Sequence, residues 1–236
     1  MDAMTATYVI TGAGSGIGRL LAERLHARGD RLALVARDES RADDLARMFP
    51  GSVTIVADLA QPETIAPAVA AATVLPDAID GVIHAAGVVE LAHVADLPLA
   101  AWTGQLAVNL VAPAELTRVL LPRVRSARGQ IVFVNSGAGL TAHPDWAAYA
   151  ASKHGLKALA DALRGEEAGR GVRVTSVYPG RTATPMQAKV HEQEGADYDA
   201  ARWIDPASVV TAIVTALDLP RDAVISDLTV RPGPRG

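Results

Sequence analysis

Three polar residues, Ser136, Tyr149 and Lys153, lie close together in the sequence and could act on one oxygen of a substrate. Tyr149 and Lys153 are four residues apart, so in a helix they share one face. The positive charge of the lysine would favour the phenolate and lower a tyrosine pKa that is otherwise about 10. The tyrosine could then donate or accept a proton near neutral pH, while Ser136 binds the same oxygen. Together they indicate proton transfer to or from an alcohol or a carbonyl group.

The elements that must position these residues alternate regularly between strands and helices. Short runs rich in Val and Ile predict buried strands, and longer runs rich in Ala, Leu and Arg predict helices. This alternation predicts an α/β, doubly wound Rossmann-type fold, with a seven-stranded parallel sheet flanked by helices on both faces, in a single domain over residues 1–236. The predicted strands are residues 7–11, 31–36, 53–57, 81–84, 130–135, 173–178 and 223–230, and the main helices are residues 16–28, 40–48, 102–125, 149–168 and 206–217.

Residues 185–205 interrupt this rhythm. The stretch is polar, with the scattered apolar residues Met186, Val190, Tyr198 and Trp203, and it separates the sixth strand from the last helix. A long insertion between regular elements is often an active-site lid, so we predict a substrate lid here. A plain surface excursion is the alternative.

Composition and charge argue against several classes of function. The 236 residues carry a net charge of −4 without a basic block, so we expect no nucleic-acid partner. The absence of cysteine excludes disulfides and thiolate chemistry. The N-terminal residues do not resemble a signal peptide and no apolar run reaches membrane-spanning length, so we expect a cytoplasmic protein without a membrane partner. The histidines have no metal-ligand spacing, so no metal is expected.

A glycine-rich turn between the first strand and the first helix indicates a dinucleotide site. Gly12 permits the tight turn, Gly16 lets the backbone approach a pyrophosphate, and Gly18 lets helix and strand pack closely. The helix N-terminus then directs free N–H groups and a partial positive charge at the phosphates. The strand–turn–helix setting favours dinucleotide binding over a purely structural turn.

The end of the second strand indicates which dinucleotide is bound. A NAD site usually has an acidic residue there to hold the ribose hydroxyls, but position 36 is Ala. Arg37 follows, and its guanidinium could pair with a 2′-phosphate to which Ser15 could donate a hydrogen bond. We therefore expect NADP(H). NAD(H) is the alternative if Asp38 binds the ribose, although Asp38 is also placed to cap the next helix.

With these motifs in place, the chain resembles the short-chain dehydrogenase/reductase family over essentially its whole length. Several independent matches occur in the family's order along the chain. They are the turn 11–18, Asp58-Leu59, Ala86-Gly87, Asn109, Ser136, Tyr149, Lys153 and Pro179-Gly180.

The resemblance implies a role for each matching residue. Tyr149 would be the acid/base, Ser136 would orient the substrate oxygen, and Lys153 would also bind the nicotinamide ribose. Asn109 would position a water that links Lys153 to solvent, so these four would be catalytic. The implied cofactor-binding residues are Gly12, Ser15, Gly16, Ile17, Gly18, Arg37, Asp58, Leu59, Ala86, Gly87, Tyr149, Lys153, Pro179, Gly180, Thr182 and Thr184. Family members usually pair through the two long helices, here 102–125 and 149–168, which implies a homodimer or homotetramer.

Two histidines need separate interpretations. The family commonly has Asn-Asn-Ala-Gly after the fourth strand, where this chain has His84-Ala-Ala-Gly. The motif position lies under the cofactor and away from Tyr149, so we expect a structural His84 rather than a catalytic one. His143, like Trp146, lies where family members shape the substrate pocket and could contact substrate or only close the loop. Met186 of the predicted lid is a third candidate substrate residue.

The predicted reaction is reversible hydride transfer between NADP(H) and a carbonyl or secondary alcohol, with Tyr149 as acid/base. Two alternatives remain. One is a NAD-dependent alcohol dehydrogenase of the same fold, and the other is a dinucleotide-binding redox sensor without catalysis. The mixed apolar and charged character of the predicted pocket favours a medium-sized, partly apolar small-molecule substrate.

Overall fold

The computed structural model describes residues 5–234, which contain a seven-stranded parallel sheet. The strands occupy the order β3-β2-β1-β4-β5-β6-β7 in space, and every neighbouring pair is parallel. The order reverses between β1 and β4, which makes their carboxyl ends the topological switch point where open α/β sheets bind ligands. The strand bounds are β1 (Thr7–Thr11), β2 (Arg31–Ala36), β3 (Val53–Val56), β4 (Gly81–His84), β5 (Gln130–Val134), β6 (Arg173–Pro179) and β7 (Asp227–Val230).

Helices cover both faces of the sheet because the strands are apolar on both sides. Successive residues point to opposite faces, so Val9 packs in one core and Ile10 in the other. The helices are α1 (Gly16–Ala27), α2 (Glu39–Met48), α3 (Ile65–Ala71), α4 (Leu99–Leu106), α5 (Ala112–Ala127), α6 (Ala147–Glu167), α7 (Pro185–Gln193) and α8 (Pro206–Leu217). Leu21 of α1 and Ile213 of α8 fill the first core, and Leu116 of α5 fills the second. The predicted architecture is confirmed.

The last strand is shorter than predicted, because side chains rather than a ladder hold the residues before it. β7 begins at Asp227, not at residue 223. Upstream, the Arg173 guanidinium donates to the carbonyls of Leu219 and Ala223, and Thr175 Oγ1 donates to the Ile225 carbonyl. The prediction was also one residue too long for β3 and β5, and one too short for β6.

The helix predicted at 102–125 is longer and less regular. Helical structure runs from Leu99 to Ala127, and a π-helical stretch, Ala107–Val111, joins α4 to α5. The short helix α3 was not predicted, because its seven residues make about two helical turns, too few for a clear apolar pattern. Both deviations leave the order of the sheet unchanged.

The predicted lid, residues 185–205, contains a regular helix. Thr184 caps α7, because its hydroxyl accepts a hydrogen bond from the Gln187 backbone N–H, and Pro185 occupies the first turn. A short 3₁₀ turn, Ala200–Arg202, follows before α8. The segment therefore packs against the rest of the protein, with Val190 buried in a cluster with Val89 and Tyr149.

A membrane-spanning helix is not found among the described residues. The same residues contain no group of three or more His, Asp or Glu side chains arranged to hold a metal ion.

Candidate active site

A cavity of about 840 Å³ opens at the carboxyl ends of the central strands. It lies at the switch point that the strand order defines. Most of the residues that the sequence predicts for the cofactor, the chemistry and the substrate line it together. These are Gly12, Ser15, Gly16, Ile17, Ala86, Gly87, Ser136, His143, Trp146, Tyr149, Lys153, Pro179, Gly180, Thr182, Thr184 and Met186.

The glycine-rich turn is shaped for close approach. Gly12 and Gly16 have φ angles of +75° and +54°, a conformation that L side chains rarely adopt. A Cβ on Gly18 would lie 2.3 Å from the Gly12 carbonyl oxygen, so α1 can only begin this close to β1 with a glycine there. A Cβ on Gly16 would lie 3.3 Å from the methyl group of Thr184, which is a tight contact. The turn thus forms a cradle in which the backbone at Gly12 and Gly16 has no side chain, which fits the close approach of a pyrophosphate.

The start of α1 keeps its electrostatic attraction for an anion. Ser15 occupies the N-cap position, yet its hydroxyl makes no capping hydrogen bond. The first turn of α1 contains no acidic residue that would neutralise the helix N-terminus. The backbone N–H groups and the Ser15 hydroxyl are therefore oriented to bind phosphate oxygens.

Arg37 and Asp38 form an exposed pair beyond this turn. Arg37 Nε donates to Asp38 Oδ2 at 2.8 Å, and 71% of the arginine side chain is exposed. The Arg41 backbone N–H donates to Asp38 Oδ1 at 2.8 Å, which confirms Asp38 as the cap of α2. Both contacts hold the pKa of the Asp38 carboxyl below its usual range. Each carboxylate oxygen already has a partner, whereas the guanidinium has free donors.

Five predicted residues do not line the cavity. Gly18 lies behind the turn, Arg37 lies outside on the surface, and Asn109 lies behind Gly87. Asp58 Oδ1 accepts a hydrogen bond from the Ala60 backbone N–H at 3.0 Å. Its neighbour Leu59 packs against the second core. The adenine contacts inferred for Asp58 and Leu59 therefore stay predictions.

Ser136, Tyr149 and Lys153 meet on one wall of the cavity. Ser136 follows β5 and caps a 3₁₀ turn, because its Oγ accepts a hydrogen bond from the Ala138 backbone N–H at 3.1 Å. Tyr149 and Lys153 lie on the first two turns of α6, with Nζ 5.8 Å from the phenol ring centroid. Lys153 Nζ donates to the Val134 carbonyl at 3.1 Å, which ties α6 to the end of β5. The predicted grouping is therefore present.

The electrostatic expectation for Tyr149 is wrong in one respect. Burial raises the pKa of the phenol, and a hydrogen bond with Ser136 opposes that rise. Burial also lowers the pKa of the Lys153 amine, to about 8. The apolar surroundings therefore favour the neutral phenol, while a lysine with this pKa still carries its positive charge at pH 7.

Asn109 lies in the π-helical stretch and is fully buried. Its side-chain amide exchanges two hydrogen bonds of 2.9 Å with the backbone of Val88, one through each polar atom. Nδ2 also donates to Ser152 Oγ at 3.0 Å. The π-helical stretch thereby fixes the loop that follows Gly87 against α6, and such stretches are frequent at functional sites. A water at Asn109 stays a prediction.

Asn135 is a positioning residue that sequence analysis missed. Its Oδ1 accepts from the Ser136 backbone N–H at 2.8 Å, and its Nδ2 donates to the Lys153 carbonyl at 3.0 Å. One buried amide therefore sets the serine relative to the helix that holds the tyrosine and the lysine. A buried polar residue at the end of a predicted apolar strand, directly before Ser136, was the available signal.

The contacts of His84 are those of a buried structural residue, as expected. Nε2 lies 2.9 Å from Thr117 Oγ1 and the ring stacks on Phe133 with centroids 4.9 Å apart. The residue is 2% exposed, and burial lowers the pKa of its imidazole to about 3. A neutral ring that does not line the cavity is not placed to exchange protons with a substrate.

Arg181, which lines the cavity, lies between two tryptophan side chains. The Arg181 guanidinium lies 5.9 Å from the Trp146 ring and 5.4 Å from the Trp203 ring. It also forms a two-pronged ion pair with Glu194 at 2.7 and 2.6 Å. Trp146 packs edge-on against Tyr149, with centroids 5.7 Å apart. Arg181 thus links the predicted lid, residues 185–205, to Trp146 at the start of α6.

Comparison with known proteins decides the family. The family model for short chain dehydrogenase matches residues 6–195. The chain belongs to the short-chain dehydrogenase family, and it is an oxidoreductase of that type. Curated relatives include an uncharacterized oxidoreductase of Staphylococcus epidermidis, 29% identical over 95% of this chain and 96% of the relative. An uncharacterized short-chain type dehydrogenase/reductase of Sinorhizobium fredii is 31% identical, over 95% of this chain and 90% of the length of the relative.

Solved structures agree with this assignment. A protein from Escherichia coli CFT073, described as a short chain dehydrogenase complexed with NADPH, superposes with a TM-score of 0.86 at 26% identity and covers 95% of each chain. A metagenomic short-chain oxidoreductase in complex with NADP gives a TM-score of 0.80 at 28% identity, covering 97% of this chain and 98% of that one. The family members therefore share the fold over nearly the whole chain.

Proposed function

We propose that this protein transfers hydride reversibly between NADP(H) and a carbonyl or secondary alcohol substrate, with Tyr149 as the acid/base. The observation that carries the proposal is that the glycine-rich cradle and the group Ser136, Tyr149 and Lys153 line the same cavity. A nucleotide bound at the first would bring its far end towards the second. If the cradle and this group of residues lined separate cavities, a protein that binds a nucleotide without catalysis would be favoured.

The residues present fit a phosphorylated dinucleotide. The turn at Gly12–Gly18 and the N-terminus of α1 would hold the pyrophosphate, and Arg37 with Ser15 would hold a 2′-phosphate. Asp38 is the residue on which NAD(H) binding would depend, but both its oxygens are engaged by Arg37 and Arg41. NADP or NADPH in two similar short-chain enzymes supports the same choice.

The chain's own residues supply the proton chemistry. A bound nicotinamide donates or accepts the hydride. In reduction, the protonated Tyr149 delivers its proton to the oxygen that becomes the alcohol, and the Ser136 hydroxyl binds that oxygen. In oxidation, Tyr149 must first lose its proton and then accept the one from the alcohol. Lys153 holds the wall of the cavity through Val134 and can carry a proton near pH 8, which matches the pKa that burial gives it.

A Tyr149→Phe protein tests the proposal. NADPH oxidation is followed with a panel of aldehydes and ketones, and NADPH binding is measured by titration. We expect the variant to bind NADPH as the wild type does and to lose about 10²- to 10⁴-fold in kcat, the usual contribution of a general acid. Undiminished turnover in the variant would disprove the role of Tyr149. Binding without any turnover by the wild type would favour a redox sensor instead.

A further inference from the structure

The C-terminal tail brings a second arginine to the cavity. The Gly180 backbone N–H donates to the Val230 carbonyl at 2.8 Å, which fixes the end of β7 beside the end of β6. Arg231 follows and lines the cavity. Its guanidinium lies against Gly137, where a Cβ would be only 2.6 Å from Nη1. The positive group therefore lies beside the residue that follows Ser136.

Among residues 5–234, no carboxylate pairs with this charge. Of the described residues that line the cavity, Glu194 is the one with a carboxylate, and Arg181 occupies both its oxygens. Lys153 is buried and donates to Val134. Within residues 5–234, Arg231 has neither an ion pair nor a hydrogen-bond partner. Arg231 thus presents to the cavity a planar cation that no described carboxylate pairs with.

The position of Arg231 separates it from the cofactor's phosphates. The pyrophosphate cradle follows β1, whereas Arg231 follows β7, four strand spacings away and so about 19 Å across the sheet. Its side chain extends back only to Gly137, after β5, which is two spacings or about 10 Å from β1. The guanidinium thus lies beside Ser136 and away from the glycine-rich turn that would hold the pyrophosphate.

We propose that Arg231 binds a carboxylate on the substrate, so that the preferred substrates are oxo acids and their hydroxy acids. A guanidinium binds a carboxylate by two parallel hydrogen bonds and thereby fixes its orientation as well as its charge. Val89, Met186 and Val190 line the same cavity and would contact an apolar body between the two ends. This inference rests on the proposed function, since it names the substrate class for that reaction.

The test compares oxo acids with their methyl esters. Each pair is an oxo acid and its methyl ester of the same chain length, with the ketone one to five carbons from the carboxyl group. All pairs are assayed with NADPH in the wild type, R231Q, R231K and R24Q. Arg24 lies exposed on α1 away from the cavity, so R24Q makes the same change in net charge. In a second measurement, each acid and its ester are titrated into the NADP-bound proteins by calorimetry, whether or not the compound is reduced.

We expect the wild type to prefer acids over esters by about tenfold or more in kcat/KM. R231Q should lose about 10- to 100-fold on acids, the value of a charged hydrogen bond, and change little on esters. R231K should keep part of the preference, and R24Q all of it. Melting temperatures of the variants should match the wild type, since the side chain makes no contact that folding needs.

Three results would overturn the proposal while leaving the proposed function intact. The first is equal kcat/KM for acids and esters in the wild type. The second is an equal loss of kcat/KM on acids in R231Q and R24Q. The third is a rise in the KM for NADPH in R231Q that is the same with every substrate, which would place Arg231 at the cofactor. If no carbonyl compound is reduced at all, the proposed function fails, and the calorimetric comparison of acid and ester still decides whether Arg231 binds a carboxylate.

Discussion

The phenol of Tyr149 and the amine of Lys153 are both buried, and burial favours the uncharged form of each. In the proposed reduction, the neutral phenol is the form that would donate a proton. The proposed oxidation would need the phenolate, so its rate should increase as pH rises towards the raised pKa of Tyr149. The pH dependence of each rate would then report on this one residue.

Ser136→Ala should move this pH dependence. Because the hydrogen bond with Ser136 lowers the pKa of Tyr149, its removal leaves burial unopposed and raises that pKa further. We expect the alkaline rise in kcat/KM for alcohol oxidation to shift to higher pH. The measurement is a pH profile of oxidation in the wild type and the variant. A profile that only drops in height, without a shift, would contradict this account of the serine.

Arg37→Ala should change the choice of cofactor. Loss of a charged contact to the 2′-phosphate should raise the KM for NADPH by about tenfold at low salt and leave that for NADH unchanged. The effect should shrink as salt screens the exposed guanidinium. Arg41→Ala is the control, because its guanidinium pairs with Asp44 on the same helix. Equal changes for both cofactors would remove Arg37 from the 2′-phosphate site.

Residue types and spacing were enough to predict Ser136, Tyr149 and Lys153, since each follows from a motif in the linear sequence. Asn135 was missed because its role depends on two backbone groups, at Ser136 and Lys153, that only folding brings together. Arg231 was missed because the tail carries no motif, and its place depends on the pairing of β7 with β6.

The helix that starts the nucleotide site depends on its contact with the preceding turn. Gly18→Ala should lower the free energy of unfolding by about 1–3 kcal/mol and weaken NADPH binding, because the new methyl meets the fixed backbone of Gly12. Gly165→Ala on α6 is the control, since nothing lies within 4 Å of its Cβ. That change should stabilise the protein by about 0.5 kcal/mol.

Chemical denaturation and NADPH titration of both variants check this prediction. A Gly18 variant as stable and as tight-binding as the wild type would show that α1 can move away from β1 without cost.

The elements that carry this contact were predictable because a strand, a glycine turn and an Ala- and Leu-rich helix follow one another directly. The π-helical stretch at Ala107–Val111 was not, since it reflects the packing of Asn109 against Val88 rather than a local pattern.

The molecule as a whole should lose stability in mild acid because of His84. Unfolded, its imidazole binds a proton near pH 6.5, whereas the folded ring stays neutral down to about 3. The unfolded state therefore binds more protons between these values, and stability falls as pH falls. At 1.36 kcal/mol per unit, the loss from pH 6.5 to pH 5 is about 2 kcal/mol.

His84→Asn removes this titrating group while keeping a polar side chain. Denaturant midpoints at several pH values should show a shallower fall for the variant than for the wild type, whatever its stability at neutral pH. Parallel curves would mean that His84 gains its proton without unfolding. The other titrating groups are common to both proteins, so their contribution cancels in the difference.

Two of the three tryptophans lie on either side of Arg181. Trp146 directly precedes α6, and Trp203 belongs to the segment 185–205. Indole emission is sensitive to a neighbouring charge, so the protein contains its own optical reporter of the cavity mouth. A ligand that moves this segment would separate Arg181 from Trp203 and change the fluorescence without any label. Stopped-flow emission could then time that movement against NADPH consumption in the same cuvette.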